Sequence, residues 1–174
     1  ALTSGCSPAL GSEQPLLPNV RLIETPDYYR HGGTPEEFTA WYSGEMQKKI
    51  DELEAAGYKF SCFLADSIFS SDGVHPNPVG FLKAAIDVVH KNGGVFIADE
   101  VQPGFARTGD AFWGFARHGI IPDMVTTGKP MGNGIPISGL AAKHEVLRRI
   151  QRQTSIFQYI WRKSSGYRSR TGCA

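Results

Sequence analysis

The sequence predicts an α/β fold with an open, mostly parallel sheet. Three observations predict it. Short apolar runs recur at residues 59–65, 95–98, 123–127 and 137–142, each of strand length. Amphipathic stretches of helical period stand before the first run and between the first and second. Those two runs and the helix between them fit in about forty residues, the size of a βαβ unit. Such a unit makes the two strands parallel and the crossover right-handed.

With 174 residues the chain can bury a real core. Its 41% hydrophobic and 20% charged residues are those of an ordinary globular protein. A net charge of +1 gives no reason to expect nucleic acid or an anionic membrane as a partner. No apolar run reaches the roughly 18 residues that span a bilayer. The first residues, ALTSGCSPALGSEQ, carry neither a basic start nor an apolar stretch of leader length. The chain opens on Ala1, which suggests that residues precede it. Its 3 cysteines, Cys6, Cys62 and Cys173, form no disulfide framework and no metal spacing, so a reducing, cytoplasmic compartment is expected. Cys62, inside an apolar run, is expected to be buried.

Residues 1–33 are rich in Pro, Gly and Ser without a sustained period and read as an extended connection. A helix starts at Thr34-Pro35-Glu36-Glu37, with a capping Thr, a Pro at the first position and acids near the positive end. Phe38, Trp41, Tyr42, Met46, Ile50 and Leu53 give it an apolar stripe, and Gly57 closes it. Lys59–Ala65 reads as a strand with Asp66 at its carboxyl end, followed by a loop. Phe81–His90 is the next helix, with Phe81, Leu82, Ala85, Ile86 and Val89 on one stripe. Val95–Ala98 is a buried strand. Ala111–Arg117 reads as a short helix, Asp123–Thr127 and Ile137–Ala142 as strands, and a helix begins near His144.

The residues of interest follow strands. In an open α/β sheet, ligands bind outside the carboxyl ends of the strands. Asp66, Asp99 and Lys129 each come just after a strand, so parallel neighbours would set all three on one rim. Lys129 stands in a loop, Thr-Thr-Gly-Lys-Pro-Met-Gly-Asn-Gly, where backbone can approach a ligand closely. A lysine that attacks an aldehyde needs a lowered pKa and a site that water leaves. Pyridoxal phosphate joins such a lysine as a Schiff base, and an aspartate keeps its ring nitrogen protonated. Asp99 has that chemistry. The plainer alternative is a structural Asp99–Lys129 ion pair at the sheet edge. His31, His75, His90, His118 and His144 form no metal spacing and read as exposed or capping residues; His75 and Asn77 could border a substrate.

IADEVQPGFARTG followed by PDMVTTGKPMGNGIPISGL resembles the core signature of the class III pyridoxal-phosphate aminotransferases. The resemblance runs from about Pro35 to Ile150, nearest the branch of alanine–glyoxylate aminotransferase 2-like proteins and related phospholyases. It implies a fold type I transferase: a three-layer α/β sandwich with a mostly parallel sheet, present here as a partial large domain. It implies pyridoxal 5'-phosphate as cofactor, a small-molecule amino donor, and a keto acid or aldehyde as acceptor. The parent is expected to be a homodimer. By the same resemblance Lys129 is the Schiff-base lysine, which also shuttles the substrate proton. Asp99 is the partner of the ring nitrogen, Val101 packs on the ring face, and Gln102 reaches the ring hydroxyl. Glu100, Arg107 and Thr108 match as structural residues. Asp66 stands where many members have a glutamate that manages the substrate site, and the shorter acid leaves that role open.

The family's chains are much longer, with a phosphate-holding loop before this segment and a small domain with a substrate-binding arginine after it. Ser155–Ala174 is basic and aperiodic, where the family has Phe-Asn-Thr-Phe-Gly-Gly-Asn-Pro-Val. Back-translated within codon degeneracy, Phe157–Gly166 read one base later permits that stretch. Residues 155–174 are therefore expected to be a frameshifted tail behind a partial transferase domain at 34–154, and the encoding DNA decides it. A natural basic tail is the alternative. Two further alternatives stand: β-elimination on the same cofactor, as in the phospholyases, and an inactive truncated chain. Poor solubility is expected of the isolated segment.

Overall fold

The computed structural model describes residues 2–4 and 17–153. Its sheet has six strands: β1 (Leu2–Ser4), β2 (Arg21–Ile23), β3 (Cys62–Asp66), β4 (Val95–Asp99), β5 (Met124–Gly128) and β6 (Ser138–Ala142). Their order is β2-β1-β3-β4-β5-β6, and each pairing from β2 across to β5 is parallel. The stretch read as an extended connection thus carries two strands, β1 and β2, and the short helix α1 (Tyr28–His31). The frameshift reading concerns residues outside those described.

Helix α2 (Pro35–Ala55) begins as its sequence dictates. Thr34 Oγ1 accepts from Glu37 N at 3.2 Å, and Thr34 N donates to Glu37 Oε2 at 2.8 Å, closing a reciprocal cap. Phe38, Tyr42, Met46, Ile50 and Leu53 face inward, and Gly57 ends the helix with φ +83. Helix α3 (Phe81–Lys91) buries the five residues of the expected stripe. Both helices pack on the face of the sheet that presents Phe63, Ala65, Phe96 and Ala98, and together they form the core. The aromatics of α2 are core: Tyr42 meets Phe81 and Phe69 edge-on at 5.2 and 6.2 Å.

Strand β3 starts at Cys62, later than the expected Lys59. The β3–β4 ladder opens with Cys62 opposite Val95, and Phe60 ahead of it packs over Gly94. A Cβ at Gly94 would come within 2.3 Å of the Phe60 ring. Cys62 is only half-buried, because period 2 sends it to the face opposite Phe63. In place of the expected helix at 111–117 there is a 3-10 helix, Gly114–His118. Helix α4 (His144–Gln153) belongs to a second unit, which begins at residue 142.

Candidate functional site

The strand ends build the rim from both sides. On β3 and β4 the register sets Asp66 opposite Asp99, and both acids take the sheet face opposite the core. Asp99 in turn stands opposite Thr126 of β5, three residues before Lys129. The three residues expected on one rim are therefore on it.

Lys129 opens a short 3-10 helix, Lys129–Gly132, and its backbone has φ +42. A side chain in the left-handed region is uncommon and sits at functional turns more often than elsewhere. The lysine is exposed, and among the described residues no hydrogen bond or ion pair engages it. The ion pair that the plainer reading required is thus not formed among the described residues. Asp99 is half-buried, and its Oδ1 accepts from Val101 N at 3.0 Å. Val101 closes the gap between the two strand ends: a Cβ built on Gly128 would lie 3.7 Å from its Cγ2. Gln102 is exposed on the turn after β4.

Asp66 is placed on the rim but occupied. Its Oδ1 accepts from Ile68 N at 2.8 Å, and its Oδ2 accepts from Ser70 N at 3.0 Å and from the Ser70 hydroxyl. Burial pushes its carboxyl above the usual range; the bonds from Ser70 and Ile68 oppose this, and the Asp99 charge adds to it. The carboxylate serves its own loop. His75 and Asn77 line a separate groove of about 460 Å³ with Asp27, Tyr28 and Gly33.

Sequence reasoning missed a buried chain of polar groups behind this rim. Glu100 and Ser67 are fully buried, and His118 nearly so. Glu100 Oε2 accepts from Gly114 N at 2.7 Å, while Oε1 accepts from Phe115 N at 2.9 Å and Ser67 Oγ at 3.1 Å. His118 corrects the expectation of exposed or capping histidines. Its Nδ1 accepts from Gly80 N at 3.1 Å, so Nε2 carries the proton and donates to Ser67 O at 2.9 Å. Burial holds His118 below its usual pKa; the bond to Ser67 opposes this and the Arg117 charge assists it. The available signal was strand alternation, which sends Glu100 to the core face once Asp99 is on the other.

Comparison with known proteins gives the family and the fold. Residues 6–157 match the family described as Aminotransferase class-III. The chain belongs to the class III aminotransferase family. It is 35% identical over 130 residues to alanine–glyoxylate aminotransferase 2 homolog 2, mitochondrial, of Arabidopsis thaliana, covering 71% of this chain and 27% of that protein. It is 46% identical over 88 residues to alanine–glyoxylate aminotransferase 2, mitochondrial, of Homo sapiens, covering 51% of this chain and 17% of that one. Among solved structures it resembles an Arthrobacter phospholyase in complex with phosphoethanolamine, with TM-score 0.75 and 32% identity over 88% of this chain and 39% of that one. An omega-transaminase from Thermomicrobium roseum gives TM-score 0.74 and 27% identity over 87% and 37%. These structures bear out the fold type I transferase architecture. The chain spans well under half the length of each of these proteins.

The cytoplasmic expectation is corrected here. The Arabidopsis and human relatives, and one from Pongo abelii, are named as mitochondrial. Cysteine usage does not separate the cytoplasm from the mitochondrial matrix. Among the described residues no helix is long and apolar enough to cross a membrane.

Proposed function

We propose that this chain carries the lysine and the ring-nitrogen partner of a pyridoxal-phosphate aminotransferase. The observation that carries the reading is an aspartate and a lysine at the carboxyl ends of adjacent parallel strands, each left unpaired with the other among the described residues. The residues fit the cofactor. One hydrogen bond among the described residues engages the Asp99 carboxylate, leaving acceptor capacity for a ring N–H. Among the described residues nothing bonds Lys129 Nζ, and the Val101 side chain lies beside Gly128.

When bound, pyridoxal 5'-phosphate supplies an electron sink for a substrate amine. Lys129 Nζ would hold the cofactor covalently and would carry the substrate proton. Asp99 would keep a proton on the ring nitrogen. Val101 would support the ring face, and Gln102 on the adjoining turn would bind the ring hydroxyl. Asp66 has less acceptor capacity to offer than Asp99, since three bonds go to its own loop, and it bears on the site through its charge beside Asp99. The parent would move an amino group from a small amino donor to a keto acid or aldehyde, as a homodimer. We place it in mitochondria, in line with the names of its relatives.

Adding pyridoxal phosphate to the chain should produce a visible absorbance band that Lys129→Ala abolishes. An identical band in both proteins, or none in either, overturns the reading. The likeness to a phospholyase favours a second reading, β-elimination on the same residues. Release of inorganic phosphate from phosphoethanolamine, against transfer of an amino group from alanine to glyoxylate, separates the two.

A further inference from the structure

Glu100 follows Asp99 directly and turns the opposite way. Asp99 belongs to the cofactor side of the sheet, whereas Glu100 enters the core, where it is fully buried. An ionised carboxylate there is costly unless donors replace its water. Three do: Gly114 N, Phe115 N and Ser67 Oγ. Two of them come from the start of the 3-10 helix, and the third from the residue after Asp66.

The surroundings are shaped for this carboxylate and its peptide. A Cβ on Gly114 would lie 2.4 Å from Ser67 Oγ and 2.5 Å from Pro103 Cβ, so only glycine lets that N–H come so close. A Cβ on Gly104 would lie 2.6 Å from Glu100 O, which accepts from Gly104 N at 3.2 Å. Glu100 N donates to Thr126 O at 2.9 Å, tying the same peptide to the strand that leads to Lys129. Ser67 is held in turn by His118, and His118 takes the N–H of Gly80 ahead of α3.

We propose that Glu100 is a positioning residue for Asp99: its buried carboxylate anchors the turn at 99–101 so that the Asp99 carboxylate stays aimed at the cofactor site. This rests on the reading of Asp99 given above. Glu100 does not touch the cofactor side itself. It fixes the peptide between Asp99 and Val101, whose N–H holds Asp99 Oδ1 at 3.0 Å. Glutamine in its place offers one acceptor oxygen and sets an amide N–H against a backbone donor, so at least one bond is lost.

Two measurements on the intact chain test it. The first is amide hydrogen exchange at Val101 without cofactor, taken relative to core amides of α2. Glu100→Gln should raise that ratio about tenfold, the equivalent of one lost bond. Ser67→Ala, which keeps the carboxylate and is the milder change, should raise it several-fold. Met46→Ala, a destabilising change within α2, speeds the reference amides and should not raise it. The second is cofactor titration, in which Glu100→Gln should weaken binding while the Lys129-dependent band persists.

A Val101 ratio that stays put in Ser67→Ala and Glu100→Gln, or rises equally in Met46→Ala, overturns the proposal. Should Glu100→Gln fail to fold, the Ser67→Ala ratio alone decides. If the wild-type chain gives no band, the cofactor reading falls, and the exchange ratio still decides whether Glu100 holds the turn.

Discussion

The two halves of the rim are built differently. The acid half, at the ends of β3 and β4, stands over helices α2 and α3 and the buried Ser67–Glu100–His118 chain. The amine half, at the end of β5, continues into a turn and strand with little cover. Ile135, Ile137 and Leu140 are 62%, 49% and 50% exposed. The relatives are more than twice as long as this chain, and apolar surface of this kind asks for cover. The acid half is thus held by its own core, while the amine half sets Lys129 on a turn that local packing barely supports.

That contrast separates chemistry from stability. Lys129→Ala has the largest expected effect on function, complete loss of the cofactor band. It should change unfolding free energy by no more than about 0.5 kcal/mol, because the side chain is exposed and makes no bond among the described residues. A large fall in its denaturation midpoint would break the comparison. On the acid side the reverse holds. Phe81 is 1% exposed and packs against Phe38, Tyr42, Phe69 and His118. Phe81→Ala should cost about 3–5 kcal/mol in urea denaturation, the usual range for emptying a large core site.

The same division explains what could be read from the sequence. Elements with a strong local period were legible: α2 with its cap, α3 with its stripe, and the β3–α3–β4 crossover. Asp66, Asp99 and Lys129 were legible as rim residues because each follows a strand. What escaped depends on distant partners. β1 and β2 are three residues each, too short to show a period, and they exist because β3 offers them an edge. The capture of Asp66 by Ser70 depends on a loop turn around Phe69 at φ +49, which no propensity specifies. The Glu100 chain joins residues from four separate segments, so no spacing betrays it.

His118 sharpens the comparison through pH. It is bound as a neutral ring, with Nδ1 accepting, and its folded pKa lies below the ordinary value of 6.5. The unfolded chain therefore takes up a proton first as pH falls below about 6.5. Stability is present above that point and is lost as pH falls, with a slope of at most about 1.4 kcal/mol per pH unit for one proton. Glu100 has the opposite sign. Burial raises its folded pKa above 4.5, opposed by the bonds from Gly114, Phe115 and Ser67, so its protonation offsets part of the loss at the acid end. In His118→Gln the slope just below pH 6.5 should vanish. An unchanged slope would mean that the titration lies elsewhere and that the acid half is not held through this ring.

The smallest effect should come from a flaw in the well-packed half. Tyr42 is fully buried, yet its hydroxyl has no hydrogen-bond partner among the described residues, and neither has the buried Asp72 Oδ1. Burial, and secondarily the Asp72 charge, push the phenol far above its usual pKa, so it stays neutral. Removing an unsatisfied buried polar atom while keeping the ring should stabilise, since the desolvation cost disappears and the contacts with Phe69 and Phe81 remain. Tyr42→Phe should therefore raise the unfolding free energy by about 1 kcal/mol. A loss of similar size would place a bridging water between Tyr42 and Asp72, and the acid half would then owe part of its rigidity to solvent.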